Sequence, residues 1–283
     1  MRALTREVQD AVFAIIKPLI PPPKPHPLGC HRQRVPDRLC FRGILYRLTT
    51  GSSWEDIEAI LDFEVSDTTL RARRDEWIAA GVFDEIHAEA VDAFNKIIGL
   101  DLREVAIDGS LHKAPYGGEG TGPNPCDRAK CGWKWSVGVE AHGVPIGWAI
   151  DGANRNDVKL LVPTIDAIRD GGHRGHIGTL HLDRGYDFPK IRRQLNDAGY
   201  RDLIIQKRRR PGDSEAPQPM RLGLRWIVEA TNSWLSNFGQ LRRNTDRAST
   251  HRHAALCLAT VVLITGKLIV WRDRHQPAAR PIR

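Results

Sequence analysis

Three carboxylates fall where distant parts of the chain could bring them together. Asp108 follows the apolar run Val105-Ala106-Ile107, Asp183 follows Thr179-Leu180-His181-Leu182, and Glu229 sits in a segment of helical periodicity. Cleaving a phosphodiester needs an activated oxygen nucleophile, a stabilised leaving oxygen and a shielded anionic centre. Two Mg²⁺ ions about 3.5–4 Å apart supply all three. Magnesium takes oxygen donors and keeps waters, so a few converging Asp and Glu side chains suffice, with Mn²⁺ as the expected substitute. On the Glu229 segment, Ile227, Ala230, Trp234, Phe238 and Leu241 form an apolar stripe, with Arg225, Glu229, Asn232 and Ser236 opposite. That polar side is either a solvent face with an Arg225–Glu229 ion pair or the wall of a cleft, and periodicity is the same in both.

The elements that would position these acids follow from pattern. Val105 to Ile107 predicts a strand ending at Asp108. Trp133, Trp135, Val137 and Val139 alternate as a second strand, and Val144–Ile150 returns antiparallel after a His142-Gly143 turn. Asn154 to Asp157 caps a helix reaching about Arg169, Thr179–Leu182 is a strand, Pro189 opens a helix, Leu203–Ile205 is a strand, and Arg225 to about Leu241 is helical. Three meandering strands followed by alternating helices and strands is the order of an α/β, ribonuclease-H-like mixed sheet flanked by helices. That fold places acids on its first strand, near the end of its fourth and on its closing helix.

Ahead of it lies a small all-α region. Phe41, Ile44, Leu45 and Leu48 mark a helix ended by Gly51. Ser52 or Ser53 caps a second with Glu55 and Asp56 in its first turn, and Ser66-Asp67 caps a third with Leu70, Trp77 and Ile78 inward, closed by Gly81. Arg71, Arg73 and Arg74 are expected on the outer side of the third. This is a helix-turn-helix-like pattern, read either as DNA docking or as a structural or dimerising cap. A further helix runs from about Phe83 to Lys96. The expected domains are 1–98 helical, 99–272 catalytic and 273–283 a basic flexible tail, with an extended proline-rich stretch at 18–27.

The 283 residues carry a net charge of +8 and a pI near 9.5. Basic residues cluster at Lys207–Arg210, Arg242-Arg243 and Arg71–Arg74, as a polyanionic partner would favour. Five scattered cysteines (Cys30, Cys40, Cys126, Cys131, Cys257) argue against a secreted disulfide framework and for a reducing cytoplasm. No signal-like segment opens the chain, and the longest apolar stretch, about Ala254 to Ile264, is short of a bilayer span, so no membrane partner is expected. The Gly117–Gly122 run lacks the Gly-Lys-Ser/Thr of a nucleotide cradle and reads as a loop near the cleft, with Lys113 or Lys130 available to DNA. Cys126 and Cys131 are poorly spaced for zinc. His181, Trp133 and Trp135 read as packed residues.

The blocks Ala106-Ile107-Asp108-Gly109-Ser110, Leu182-Asp183-Arg184-Gly185-Tyr186 and Arg225-Trp226-Ile227-Val228-Glu229 resemble the three signatures of DDE transposases of the insertion-sequence-five group, within the insertion-sequence four/five superfamily. Gly43-Ile44-Leu45-Tyr46, Gly51-Ser52-Ser53-Trp54 and Trp77 to Phe83 are similar to that group's amino-terminal region. The resemblance implies that Asp108, Asp183 and Glu229 hold two Mg²⁺ ions, and that Arg225 orients Glu229 or a phosphate. Arg184, Lys130, Arg71, Arg73 and Arg74 are the further substrate-binding candidates. It implies cleavage at the terminal inverted repeats of an element, 3′-hydroxyl strand transfer into target DNA, a homodimer in the DNA complex and residence at the cytoplasmic nucleoid. A nuclease without joining activity and a catalytically idle DNA-binding repressor are the alternatives. The superfamily's Tyr before the arginine and Lys after the glutamate are replaced by Leu222 and Ser236, so those phosphate contacts do not carry over. The Asp183–Glu229 interval is too short for the inserted β-domain of some larger relatives.

Overall fold

The computed structural model describes residues 4–23, 33–171, 177–205 and 225–275. By contact, the chain forms two compact units. One comprises Met1–Ile98, Asn237–Asn244 and Thr250–Arg283, the other Gly99–Ser236 and Thr245–Ser249. By contact, the expected 99–272 stretch is shared between the units: the chain leaves the sheet unit after Ser236 and gives its last long helix to the front unit. Residues 273–275, expected in a flexible tail, continue that helix. Pro25, Pro27, Cys30, Lys207–Arg210, Leu222 and the chain beyond His275 lie outside the described residues.

In the front unit, α1 (Arg6–Ile16) is capped by the Thr5 hydroxyl and buries Val8, Val12 and Ile16. Helix α2 (Asp37–Thr50) stops at Gly51, whose φ of 73° lies in the left-handed region. A Cβ on Gly239 would stand 2.2 Å from the Thr50 carbonyl oxygen, so α2 and the short α9 (Gly239–Arg242) meet through bare backbone. Helix α3 (Trp54–Ile60) begins with a capping box between Ser53 and Asp56, α4 (Asp67–Ala79) is capped by Ser66, and α5 (Val82–Ile97) follows the left-handed Gly81. Helix α10 (Ser249–His275) is buried at every residue from Ala254 to Thr265. Apolar on all sides, it behaves as a core helix. It extends well past the apolar stretch seen in the sequence, and its length and hydropathy alone would suit a bilayer; yet 67% of its most apolar window is buried within the protein.

The expected basic outer face of α4 does not form. Arg73 and Arg74 are buried. Arg73 pairs with Asp37 and Glu76 and donates to the Val35 carbonyl. Arg74 pairs with Asp75 and lies over the Trp54 ring, 5.2 Å from its centroid, within cation–π range. Arg71 is part-exposed and bound to Glu55 and Asp67. The guanidiniums neutralise acids of α2, α3 and α4, and the exposed residues of α4 are Thr68, Ala72, Asp75 and Ala79.

In the second unit, β1 (Glu104–Lys113) pairs antiparallel with β3 (Cys131–Glu140), and β3 pairs antiparallel with β4 (Pro145–Gly152). The two-residue β2 (Gly122–Pro123) also lies against β3. After α6 (Asp157–Asp170), β5 (Thr179–Leu182) runs parallel to β1; after α7 (Pro189–Asp197), β6 (Leu203–Ile205) runs parallel to β5. The order β2-β3-β1-β5-β6, with β4 beside β3, is the ribonuclease-H-like mixed sheet expected from element order. The closing helix α8 (Arg225–Ser236) packs on β1 and β3. One expectation changes: β1 does not end at Asp108 but runs to Lys113, because its antiparallel pairing with β3 continues where its parallel pairing with β5 stops at Ile107.

If Arg73 is structural, Arg73→Ala strands Asp37 and Glu76 and should cost about 2 kcal/mol or more in urea unfolding. Unfolding like wild type would show instead that Asp37 and Glu76 do not depend on this guanidinium.

Candidate active site

Register brings the first two acids together. Ile107 pairs with Leu182 across parallel strands, so the next residues stand side by side, Asp183 just past the end of β5 and Asp108 still within β1, where it pairs with Val137 of β3. Asp183 then caps a short 3-10 turn, Arg184–Tyr186, its carboxylate accepting from the Arg184 amide. Arg225, at the start of α8, links the third acid: its Nε donates to Glu229 Oε1 at 2.7 Å and its Nη1 lies 3.6 Å from Asp183 Oδ1. The two readings of the α8 polar side thus coincide, since the i,i+4 ion pair exists and also reaches the strand-end acid.

Asp108 is held from α8 by a residue that the sequence placed on the polar side without assigning it a role. The Trp135 indole donates to Asn232 Oδ1 at 2.8 Å, and Asn232 Nδ2 donates to Asp108 Oδ2 at 3.2 Å. An indole N–H can only donate, so it fixes which end of the amide faces it and leaves the NH₂ for the carboxylate. The apolar stripe expected on α8 is corrected accordingly. Its buried side is Val228, Thr231, Asn232 and Leu235, while Trp226 and Trp234 are exposed. Polar Thr231 and Asn232 can face inward because each has a partner there, Thr231 donating to the Gly143 carbonyl.

Burial, with the charges of Asp183 and Asp157 nearby, pushes the Asp108 carboxyl up to about 6, against the pull of the Gly109 amide and Asn232. Tyr186 is buried beside the same acids, and burial drives its phenol far above its ordinary range. A donor set of carboxylate oxygens, with two acids abutting, fits hard divalent cations such as Mg²⁺ and Mn²⁺.

The remaining candidates lie elsewhere. Arg184 is exposed on the turn after Asp183, and Lys130 is exposed 3.8 Å from Asp127 in the loop before β3. That loop is tied down where Glu119 N donates to the Arg247 carbonyl and Glu119 Oε2 accepts from Ser249. Trp133 and Trp135 are fully buried, as expected of packed residues, with His112 stacked on Trp135. His181 pairs with Glu104. In the front unit Asp84, His253 and Cys257 place donors within 4.8 Å of one another. There the single nitrogen His253 Nε2 faces both Asp84, at 2.6 Å, and Cys257, at 3.5 Å, and burial raises the Cys257 thiol well above its ordinary value. That group is a hydrogen-bonded histidine–carboxylate contact joining α5 to α10 beside a buried thiol.

With divalent ions chelated, the folded chain keeps the Asp108 proton up to about pH 6, whereas the unfolded chain releases it near its ordinary 3.8. Between those values the folded state binds more protons, so this group's contribution to stability declines as pH rises through the window. Asp108→Asn should therefore stabilise the metal-free protein at pH 7 by on the order of 2–3 kcal/mol and by much less at pH 4. Equal gains at both pH values in urea unfolding would reject this assignment. Asn232→Ala, which strands the Trp135 N–H, should instead cost about 1–3 kcal/mol, measured the same way.

Residues 8–87 match the family model described as "Putative transposase of IS4/5 family", and residues 99–264 match the one described as "Transposase DDE domain". The chain is 38% identical over 159 residues to "Putative transposase for insertion sequence element IS402" of Burkholderia cepacia, covering 54% of this chain and 72% of that one. It is 34% identical over 119 residues to "Insertion element IS402 uncharacterized 16.2 kDa protein" of the same organism, covering 42% of this chain and 80% of that one. Among solved structures, the Mos1 transposase paired-end complex with left transposon end shares 12% identity at a TM-score of 0.27, covering 87% of this chain and 82% of that one. That likeness is too slight to bear on the fold, which rests on the sheet order itself. With both family models matched and the acids of all three signatures linked in one site, the chain belongs to the IS4/5 family of DDE transposases.

Proposed function

We propose that the protein binds the terminal inverted repeats of a bacterial insertion sequence and catalyses both DNA cleavage and strand transfer. In the first step water attacks a phosphorus at the element end, the bond to the 3′ oxygen breaks, and a 3′ hydroxyl is released. In the second that hydroxyl attacks a target phosphodiester, forming the new joint and releasing a target 3′ hydroxyl. The observation that carries this reading is the pairing of Asp108 with Asp183 by strand register, with Arg225 joining Asp183 to Glu229.

Asp108, Asp183 and Glu229 would hold two Mg²⁺ ions, which when bound supply Lewis-acid charge to the attacking and leaving oxygens. The chain's own residues set the geometry. Asn232, fixed by Trp135, aims one oxygen of Asp108, and Arg225 keeps Glu229 turned toward Asp183. The Arg225 side chain is 39% exposed, so the guanidinium that aligns two acids is also open to a phosphate. With Arg73 and Arg74 buried, non-specific DNA affinity falls to exposed cations such as Arg184, Lys130, Arg242 and Arg243. Joining two ends requires two such sites, so a homodimer assembles on DNA, at the nucleoid in the cytoplasm.

The test is strand transfer from a supercoiled donor carrying matched element ends, following the 3′ end in Mg²⁺ and in Mn²⁺. Asp108→Asn, Asp183→Asn and Glu229→Gln should each abolish nicking and joining, and Arg225→Ala should lower both by about 10- to 100-fold. Wild-type joining by Asp183→Asn would overturn the site. Nicked but unjoined product would favour a nuclease, and specific duplex binding without cleavage in either metal a repressor.

A further inference from the structure

Beside the three signature acids lies a fourth carboxylate. Asp157 opens α6, following the N-cap Asn156. An acid there is ordinarily explained by the helix dipole alone. Two observations go beyond that explanation. A Cβ on Gly109 would lie 2.5 Å from Asp157 Oδ1, and Gly109 has no positive φ. The glycine after Asp108 is therefore needed for close approach of this carboxylate and not for backbone conformation. Finally, Lys134 on β3 has a side chain only 5% exposed and places its ammonium 2.7 Å from Asp157 Oδ1. Burying an ammonium is costly unless it is paired, and a helix-start acid does not require it.

We propose that Asp157 is a fourth carboxylate of the divalent-ion site, with Lys134 as its counter-charge when cations are absent. The proposal rests on the reading of Asp108, Asp183 and Glu229 as metal ligands. The Asp157 side chain is 47% exposed, open to an arriving hydrated ion, while the Lys134 ammonium comes from the sheet side and stays buried. Cation and ammonium thus compete for one carboxylate. A carboxylate that served only to pair a buried lysine would be indifferent to divalent ions.

The experiment is titration of Mn²⁺ into the full chain without DNA, reading free Mn²⁺ by electron paramagnetic resonance, with circular dichroism to confirm folding. Asp157→Asn is expected to weaken Mn²⁺ binding by about 10- to 100-fold. Lys134→Met should tighten it and should show a larger rise in melting temperature on Mn²⁺ addition than wild type. Gly109→Ala, which displaces Asp157 but keeps its charge, should weaken binding as Asp157→Asn does. Wild-type Mn²⁺ affinity in Asp157→Asn, or weaker binding in Lys134→Met, would overturn the proposal. Asp183→Asn separates the two ideas: if it too binds Mn²⁺ like wild type, the three-acid reading falls first, and if it alone loses binding, only the role of Asp157 fails.

Discussion

Parallel pairing of β1 with β5 forces two like charges together. Once Ile107 stands opposite Leu182, the following residues cannot avoid each other, and a folded chain must hold Asp108 and Asp183 as neighbours with one largely withdrawn from water. Mutual repulsion and lost hydration both oppose ionisation, so the site is a place where folding energy is stored as unfavourable electrostatics. The surrounding structure makes sense as restraint on that pair. The indole–amide relay from Trp135 through Asn232 aims Asp108, Arg225 supplies positive charge to Asp183, and Lys134 does so for Asp157.

Much of this was legible in the chain. The strands Thr179–Leu182 and Leu203–Ile205 and the helix start at Pro189 lie where apolar runs and proline placed them. Those signals are local, and local chemistry settles them. The acids Asp108 and Asp183 were visible because an apolar strand leading into a carboxylate is unusual. Asp157 was visible only as a helix-start residue, since nothing in its neighbourhood along the chain reveals Gly109 or Lys134 across the sheet.

What could not be read depended on partners far away in sequence. The stripe of α8 was misjudged because Thr231 and Asn232 look like solvent residues until Gly143, Trp135 and Asp108 are placed beside them, while Trp234 looks buried. Arg73 and Arg74 looked like a DNA-facing surface because a guanidinium paired to Asp37 from another helix is indistinguishable, in sequence, from one awaiting a phosphate. Charge clusters report the sign of the side chains and not the direction in which they point.

The front unit is discontinuous: its helices before Ile98 share a core with α10, which is synthesised only after the whole sheet unit. On the ribosome the sheet unit can close while the first ninety or so residues still wait for their last apolar partner. A shortened translation product ending near the sheet would leave those early helices with an uncovered hydrophobic face, prone to chaperone capture or degradation. Full-length synthesis is thereby a condition for a competent front unit, a form of quality control written into chain order.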